Sequence, residues 1–302
     1  MPSAMDRLKQ RADDFQRSHP VAGFTYGVVR KAGDDKGSQL AALITYYGFF
    51  SLFPLLLVAF TTLGFVLQHN PSMREDIAST LQQRLPLPGI TADTITGSGF
   101  ALVVGILLTL WAGLGATQVA QDAVNTVWDV PRSAEPSFVR KRLNGLAILA
   151  VIGVGLIVAT AASSLASFLG PAAGVGGALV SVLVNAAVIA LMLHIMVERR
   201  PTWSEVRWGA LFGGVGWTVL QLVGGWYTHR LVANANKTYG TFAVVIGLLS
   251  WIYLQAQVFV YAAEVASVSS RRLWPRALVP EHPTDADATV AAALVARTKP
   301  PV

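Results

Sequence analysis

Three groups of polar residues recur at helical spacing inside otherwise apolar stretches of this chain. The members of each group are separated by three or four positions, or lie beside one that is, so each group occupies one face of an α-helix. The groups are Gln118, Gln121, Asp122 and Asn125; Tyr47 and Ser51, with Pro54 on the same face and Tyr46 beside it; and Tyr253, Gln257, Tyr261 and Glu264. Hydroxyl, amide and carboxyl groups on such faces can line a hydrated cleft that admits a polar solute.

The same residue types also serve a purely structural purpose between packed helices. A hydrogen bond between membrane helices contributes only about 0.6–2 kcal/mol, yet it holds the helices in register. Asp122 and Glu264 can also lie at the membrane interface, solvated or paired with loop arginines. Two interpretations of the candidate set therefore stay open, a polar cleft and helix packing: Tyr46, Tyr47, Ser51, Gln118, Gln121, Asp122, Asn125, Gln257 and Glu264.

The sequence carries no signature of an enzyme. The P-loop, HExxH and GxSxG patterns and a strand–GxGxxG–helix context are all missing. The chain has no cysteine, which excludes disulfides and thiolate chemistry, and its five histidines lie far apart. Several acids of the polar segments could gather round a metal, but their spacing does not require it: Asp34, Asp35, Asp122, Asp129 and Glu198. We therefore predict no catalytic residue, no metal and no cofactor.

Composition indicates that the polar faces belong to membrane-spanning helices. Hydrophobic residues make up 53% of the 302 residues and charged residues only 13%, about half the share that is usual in a soluble domain. Six stretches reach the roughly 20 apolar residues that a spanning helix needs. They cover residues 39–67, 99–120, 144–169, 177–197, 208–228 and 242–264, and the fifth is the weakest because glycines dilute its hydrophobicity. The predicted fold is an all-α polytopic membrane protein with six transmembrane helices.

The positions of the basic residues give this fold an orientation. Nineteen of the 23 Lys and Arg residues lie in the N-terminal segment, in the connections after the second and fourth spans, or after the sixth span. Basic flanks stay in the cytoplasm, so both termini are predicted to be cytoplasmic. The same charges should attract anionic lipid headgroups, an interpretation that we prefer to nucleic-acid binding. The N-terminus is polar and charged through Lys36, so a cleavable signal peptide is not expected.

Three regions follow from this topology. Residues 1–38 form a cytoplasmic or interfacial N-terminal segment, residues 39–270 the membrane domain, and residues 271–302 a cytoplasmic tail that is predicted to be mostly disordered. In the connection between the first two spans, the segment Pro71–Leu85 spaces Met73, Ile77 and Leu81 four apart, which predicts an amphipathic helix on the outer face.

Single residues inside the spans suggest further packing features. Pro54 removes a backbone hydrogen bond from its helix and predicts a kink, which can be a hinge or a fixed packing feature. Gly209 and Gly213 have the small-xxx-small spacing, extended by Gly216, and indicate close helix packing. His194 is isolated in the fourth span, where a hydrogen-bonded packing residue is a more common role than a proton carrier.

Three motifs taken together resemble one known family. They are Ala41-Ala42-Leu43, Tyr46-Tyr47 and Ser51-Leu52-Phe53-Pro54-Leu55-Leu56; Asn125 with Trp128; and Tyr239-Gly240-Thr241 with Trp251 and Ala263-Glu264. This combination resembles the YihY/BrkB family of bacterial inner-membrane proteins, and the pair Asp34-Asp35 with the Tyr-Tyr-Gly-Phe-Phe run is similar to its YhjD-like members. Ala262 and Ala266 stand where the family usually shows glycine and asparagine. The family has been labelled a virulence or envelope-integrity factor, linked to envelope lipid export, and called ribonuclease BN.

The resemblance implies a function in the bacterial cytoplasmic (inner) membrane. Our first hypothesis is a transporter-like protein that exports an envelope lipid or precursor, and the second is a non-transporting scaffold for envelope machinery. A membrane-bound hydrolase or ribonuclease is the third, and these residues do not support it. Membrane lipids are the expected partners, with envelope-biogenesis proteins and a second copy of the chain left open, and no nucleic acid is expected.

Overall fold

The apolar stretches of the sequence fold as long α-helices. The computed structural model describes residues 4–67, 75, 79, 98–131, 137–168, 173–235, 241–279 and 281–298, and every regular element among them is an α-helix. In chain order the helices are α1 Ala4–Ser18, α2 Pro20–Asp34, α3 Gly37–Leu67, α4 Gly99–Val127, α5 Phe138–Phe168, α6 Ala173–Met196, α7 Trp203–Ala235, α8 Thr241–Arg271 and α9 Asp285–Thr298. The predicted amphipathic helix Pro71–Leu85 lies outside the described residues, apart from residues 75 and 79.

Helices α3 to α8 coincide with the six predicted spans, and most of them extend further. Helix α4 continues to Val127 and α8 to Arg271. The added turns contain polar and charged residues, which a count of apolar residues does not include. Five helices of the described chain are long and apolar enough to cross a membrane: Gly37–Leu67, Gly99–Val127, Phe138–Val158, Gly176–Met196 and Val244–Arg271. Helix α7 is a single helix of 33 residues but does not reach this hydropathy, because its glycines lower the average. The six-span topology and its orientation therefore stay predictions.

The contacts among helices divide the chain into two units. The first contains residues 1–41, 120–219 and 256–302, and the second contains residues 42–119 and 220–255. In the first unit α1 packs on α2, and α5 packs on α6. In the second unit Gly105 of α4 packs against Leu57 and Val58 of α3, and Gly224 of α7 packs against Trp251 of α8. The first unit thus contains contacts between consecutive helices, whereas the contacts named in the second unit join residues that lie 27 or more positions apart.

Surface composition of the helices agrees with a lipid environment. Large apolar side chains such as Phe53, Leu107, Trp111 and Ile246 are exposed on the second unit, and Leu156 and Leu211 are exposed on the first. An apolar surface this extensive is not stable in water. The helices therefore fit a multi-pass membrane protein.

Four helices are each followed, within one to four residues, by a non-glycine residue with a left-handed backbone conformation. Lys36 follows α2, Asp129 follows α4, Arg200 follows α6 and Arg272 follows α8, with φ between 47° and 56°. This conformation stops a helix and reverses the chain, although it is costly for residues other than glycine. Asp129 and Arg272 thereby begin turns that bring charged side chains back over the ends of α4 and α8.

The C-terminal tail corrects the prediction of disorder, because residues 285–298 form helix α9. Thr284 and Asp287 make a reciprocal capping box, in which the Asp287 amide donates to Thr284 Oγ1 at 3.3 Å and the Thr284 amide donates to Asp287 Oδ2 at 2.9 Å. Val290 is buried in an apolar cluster with Val28, Val265 and Leu273. A composition rich in Pro, Ala, Thr and Asp suggested disorder, but the cap and this buried face order the segment.

We expect acid to release helix α9 from the first unit. Burial alone would raise the pKa of Asp287, but hydrogen bonds from the Thr284 amide, the Arg276 guanidinium and the Ala277 amide lower it to about 2. Because this pKa lies below the unfolded value of about 3.9, the carboxylate stabilises the docked helix above pH 4, and this stabilisation is lost as the pH falls through about 2. The protection of the Val290 amide against hydrogen exchange, taken relative to the intrinsic exchange rate at each pH, should therefore fall steeply between pH 4 and pH 2.

Two variants isolate the contribution of Asp287. Asp287→Asn should expose the Val290 amide to exchange already at pH 6 and remove most of the acid dependence. The matched control is Asp285→Asn, because Asp285 lies in the same first helical turn and is exposed. If both variants give the same pH profile as the unmodified chain, Asp287 does not hold α9 in place.

Candidate functional site

The nine candidate polar residues are divided between the two units. Tyr46, Tyr47, Ser51 and Gln118 belong to the second unit, and Gln121, Asp122, Asn125, Gln257 and Glu264 belong to the first. In the second unit the two tyrosine rings are exposed and contact edge to face at 5.5 Å between centroids. Ser51 donates to the Gly48 carbonyl of its own helix at 2.7 Å, and α3 runs through Pro54 without interruption. The candidates therefore form two sets, four in the second unit and five in the first.

In the first unit, the polar face of α4 is used for contacts between helices. Asn125 is buried, and its Oδ1 accepts a hydrogen bond from the Glu198 amide at 3.0 Å, which ties α4 to the turn after α6. Asp122 is exposed and pairs with Lys141 of α5 at 3.1 Å. Gln121 is buried and donates to the Lys141 carbonyl at 3.4 Å. These contacts are those of helix packing, so Asn125 and Asp122 join helices here.

His194 and the glycines of α7 also make packing contacts. His194 Nδ1 donates to the Pro201 carbonyl at 2.8 Å, and its ring stacks on Trp203. At Gly209 a Cβ atom would lie 2.2 Å from the Ala262 carbonyl oxygen, so only glycine allows α7 to approach α8 there. At Gly213 and Gly216 an added Cβ would meet side chains at 2.7 Å and 3.0 Å.

Glu264 takes part in a buried cluster of charges centred on Lys31. The Lys31 ammonium pairs with Asp35 and lies 3.5 Å from Asp129 Oδ2 and 4.0 Å from Glu264 Oε2. Lys31 and Glu264 are both almost completely buried. One ammonium therefore faces three carboxylates, supplied by α8 and by the chain segments that follow α2 and α4.

Two arginines complete the charge balance of this cluster. Arg297 of α9 lies 2.9 Å from Asp35 Oδ1 and 3.5 Å from Asp129 Oδ1, and it also donates to the Thr126 carbonyl at 2.7 Å. Arg271, at the end of α8, lies 2.7 Å from Asp129 Oδ2. We name the three cations and three carboxylates the Lys31 cluster: Lys31, Arg271, Arg297, Asp35, Asp129 and Glu264. Its formal charges cancel, which burial of so many ions requires.

Polar contacts satisfy most members of the Lys31 cluster, but not Glu264. The Val127 carbonyl accepts from Lys31 Nζ at 2.9 Å and from Ser267 Oγ at 3.1 Å. Burial raises the pKa of Asp35, although the Lys31 charge and hydrogen bond oppose the rise. In contrast, both carboxyl oxygens of Glu264 are buried without a hydrogen-bond partner in the described part of the chain. The cation that faces it is the Lys31 ammonium, at 4.0 Å.

This geometry is centred on a cation and is not that of a metal site. Asp35, Asp129 and Glu264 are each directed at Lys31 or an arginine, and the described ranges contain no group of three or more His, Asp or Glu side chains that could hold a metal. Ionic groups arranged in this way can exchange protons or partners, and they can lock helices together.

Sequence reasoning identified Glu264 but missed the basic half of the cluster. Lys31 and Asp35 are four residues apart on α2 and the turn after it, and this spacing is a signal that could have suggested the pair. Arg297 gives no such signal, because it lies 262 residues from Asp35 in the chain.

Comparison with known proteins shows the family of this chain. A sequence profile of the family described as Virulence factor BrkB matches residues 28–286. Inner membrane protein YhjD of Escherichia coli is 23% identical, over 90% of this chain and 88% of its own length. A UPF0761 membrane protein of Pseudomonas paraeruginosa is 26% identical, over 82% of this chain and 63% of its own length. A Bacillus subtilis protein named ribonuclease-like, YfkH, is 23% identical over 78% of this chain.

No solved structure matches the chain. The matched residues include Lys31, Asp35, Asp129, Glu264 and Arg271 of the Lys31 cluster, whereas Arg297 lies beyond them. The resemblance seen in the motifs is confirmed by the extent of the profile match. Together with its long apolar helices, the match shows that this chain is a membrane protein of the BrkB family.

Proposed function

We propose that this chain is a transporter-like protein of the bacterial inner membrane that exports an envelope lipid or lipid precursor and thereby supports envelope integrity. The observation that carries the proposal is Glu264, a fully buried carboxyl group in an apolar helix with no hydrogen-bond partner in the described residues. Ionisable groups at such positions are costly, and they commonly mark the path of a solute, an ion or a proton.

The missing hydrogen bonds of Glu264 are informative, because a second arrangement of the neighbouring helices can supply them. Lys31 lies among three carboxylates but contacts Glu264 only at 4.0 Å, so small shifts of α2 or α8 would redistribute its partners. Transport requires a protein with two such arrangements of similar free energy. The chain has no nucleotide-binding motif, so a gradient, a partner or the substrate itself would supply the energy.

The orientation proposed for this function follows the basic residues. We place both termini and the Lys31 cluster on the cytoplasmic side, with six spans that include the glycine-rich α7. Anionic headgroups of membrane lipids would then meet the basic connections. On this basis the substrate would enter from the cytoplasmic side.

We expect Glu264→Gln to lower transport at least tenfold while the protein still folds. The neutral amide keeps the shape of the side chain but removes its negative charge. Lys31 could then no longer exchange an acidic partner such as Asp129 for residue 264. Purified protein in liposomes would be assayed for movement of fluorescent lipids across the bilayer, with and without an imposed proton gradient. Glu281→Gln is the matched control, because Glu281 is an exposed glutamate outside the Lys31 cluster.

Two results would count against transport. Lipid movement that equals that of empty vesicles, for several lipids and with a gradient, would contradict the proposal as a whole. If the Glu264→Gln variant transports lipid as fast as the Glu281→Gln variant, the Glu264 carboxylate has no part in transport.

A scaffold for envelope machinery is the second candidate, and the contacts of Asn125 favour it. Asn125 and Asp122 bind neighbouring helices, and the charges of the Lys31 cluster cancel, as expected of a fixed support. If the protein is a scaffold, cells that carry Asn125→Ala or Glu264→Gln should keep a normal envelope, provided that the variant accumulates. A bulky residue at Gly213 should abolish function under either proposal.

A further inference from the structure

The first unit contains a second feature, an apolar groove separate from the Lys31 cluster. It lies between α2, α7 and α8 and has a volume of about 870 Å³, within the range of ligand-binding pockets. Its walls include Phe24 and Val28 of α2, Trp208 and Phe212 of α7, and Val265 of α8. Trp274 lines it after the end of α8, with its ring edge to face against Phe24 at 5.9 Å.

The groove presents almost no polar group to an occupant. Its two small hydroxyl residues are satisfied by their own helices, since Thr25 donates to the Val21 carbonyl at 2.9 Å and Ser269 donates to the Ala266 carbonyl at 3.1 Å. The lining also includes Tyr261, Trp208 and Trp274, so a polar or charged solute would gain few hydrogen bonds in return for its lost hydration. The occupant that suits these walls is a hydrocarbon chain.

Two observations identify that hydrocarbon as part of a membrane lipid. Leu211 and Val215 line the groove and belong to the exposed apolar face of α7, which continues along the helix at Val219, so a lipid tail can enter sideways from the surrounding bilayer. Arg207 precedes Trp208, the first residue of α7 that lines the groove. The Arg207 guanidinium lies 5.5 Å from the centre of the Trp208 ring. An apolar channel with a cation at its end matches an acyl chain with an anionic headgroup.

We propose that the groove between α2, α7 and α8 binds one acyl chain of an anionic phospholipid, with the headgroup at Arg207. Trp208 would contact the acyl chain, because its ring lines the groove, and it also packs against the Arg207 guanidinium that binds the headgroup. This inference deepens the proposed function and rests on it, since it names the lipid class that the exporter would hold.

A photoactivatable lipid tests where the acyl chain lies. Full-length protein in nanodiscs would be irradiated with phosphatidylglycerol that carries a diazirine in one tail, and the labelled peptides would be mapped. We expect labels to concentrate at residues 24–29, 208–216 and 261–269. Thr25→Trp fills the groove and should lower this labelling at least fivefold. Val21→Trp should leave it unchanged, because Val21 is an exposed residue one turn earlier on α2 that does not line the groove.

A pair of arginine variants tests the headgroup. Arg207→Gln should weaken phosphatidylglycerol labelling about fivefold, which corresponds to about 1 kcal/mol for one basic residue near an anionic headgroup. The same variant should leave labelling by diazirine phosphatidylcholine unchanged. Arg142→Gln is the matched control, because Arg142 lies over the Phe138 ring at 5.0 Å near the start of another helix.

Several outcomes would overturn the inference. These are labels spread evenly over the exposed helix faces, labelling unaffected by Thr25→Trp, equal preference for both lipids in the unmodified chain, or cross-links from the groove to a second copy of the chain. Transport and binding are distinguished by combining the assays. Groove labelling without lipid movement contradicts transport alone, whereas lipid movement without groove labelling contradicts the groove alone.

Discussion

Replacement of Lys31 by methionine should lower the free energy of unfolding by about 3–5 kcal/mol, the cost of leaving buried charges without their partner. Methionine has a similar length but no charge, so Asp35 and Glu264 would lose the ammonium that faces them. Because natural proteins are stable by only about 5–15 kcal/mol, this loss is a large share of the total. Thermal unfolding of purified protein in detergent, followed by tryptophan fluorescence, would measure it.

Two further variants show whether charge pairing causes the loss. Glu264→Gln in the Lys31→Met background removes one of the stranded carboxylates and should restore at least about 1 kcal/mol, a coupling that a double-mutant cycle detects. Arg11→Met also removes one positive charge, but from an exposed position on α1, and should change stability by less than about 0.5 kcal/mol. The interpretation fails if Lys31→Met is as stable as Arg11→Met.

Gly209→Ala should destabilise the first unit by about 3 kcal/mol, at the upper end of the usual cost of overpacking. The added methyl group would lie 2.2 Å from the Ala262 carbonyl oxygen and 2.6 Å from the Ala266 Cβ atom. Because the first of these atoms is backbone, no rotamer change can relieve the clash, and α7 must move away from α8. The same unfolding assay applies.

Other glycines provide a graded series and a control. The effect of alanine should fall from Gly209 to Gly213 to Gly216, because at the last two positions the added Cβ meets side chains at 2.7 Å and 3.0 Å. Gly153→Ala in α5 has no atom within 4 Å of the new Cβ, so it should be neutral or stabilising by up to about 1 kcal/mol. Equal effects at Gly209 and Gly153 would contradict close packing of α7 on α8.

The sequence predicts the helices of this protein well because each depends on its own composition. Apolar runs placed α3, α4, α5, α6 and α8 where five candidate spans lie. The helix ends were less predictable, since α4 continues seven residues beyond the apolar run at 120, through Asp122 and Asn125. Hydropathy does not detect a helix whose last turns are polar and packed against other segments.

The candidate site was predictable only in part, for a related physical reason. Glu264 and Gln121 stand out as polar residues in apolar helices, and both are buried in the structure. Their partners could not be inferred, because a contact such as Arg297 with Asp35 joins segments with no sequence pattern in common. Helix α9 was missed for the same reason, since Val290 is buried by residues of α2 and α8.

The pairing of Arg297 with Asp35 also has a consequence for biosynthesis. Asp35 leaves the ribosome 262 residues before Arg297 does, so the acidic groups next to Lys31 are made long before their last counter-ion. Until then Asp35 and Asp129 share Lys31 and Arg271. The nascent chain therefore completes the charge balance of the Lys31 cluster only when α9 is translated. In a protein that stops short of α9 this cluster would keep one unpaired negative charge in its buried interior, a defect that quality-control proteases could detect through the instability that it causes.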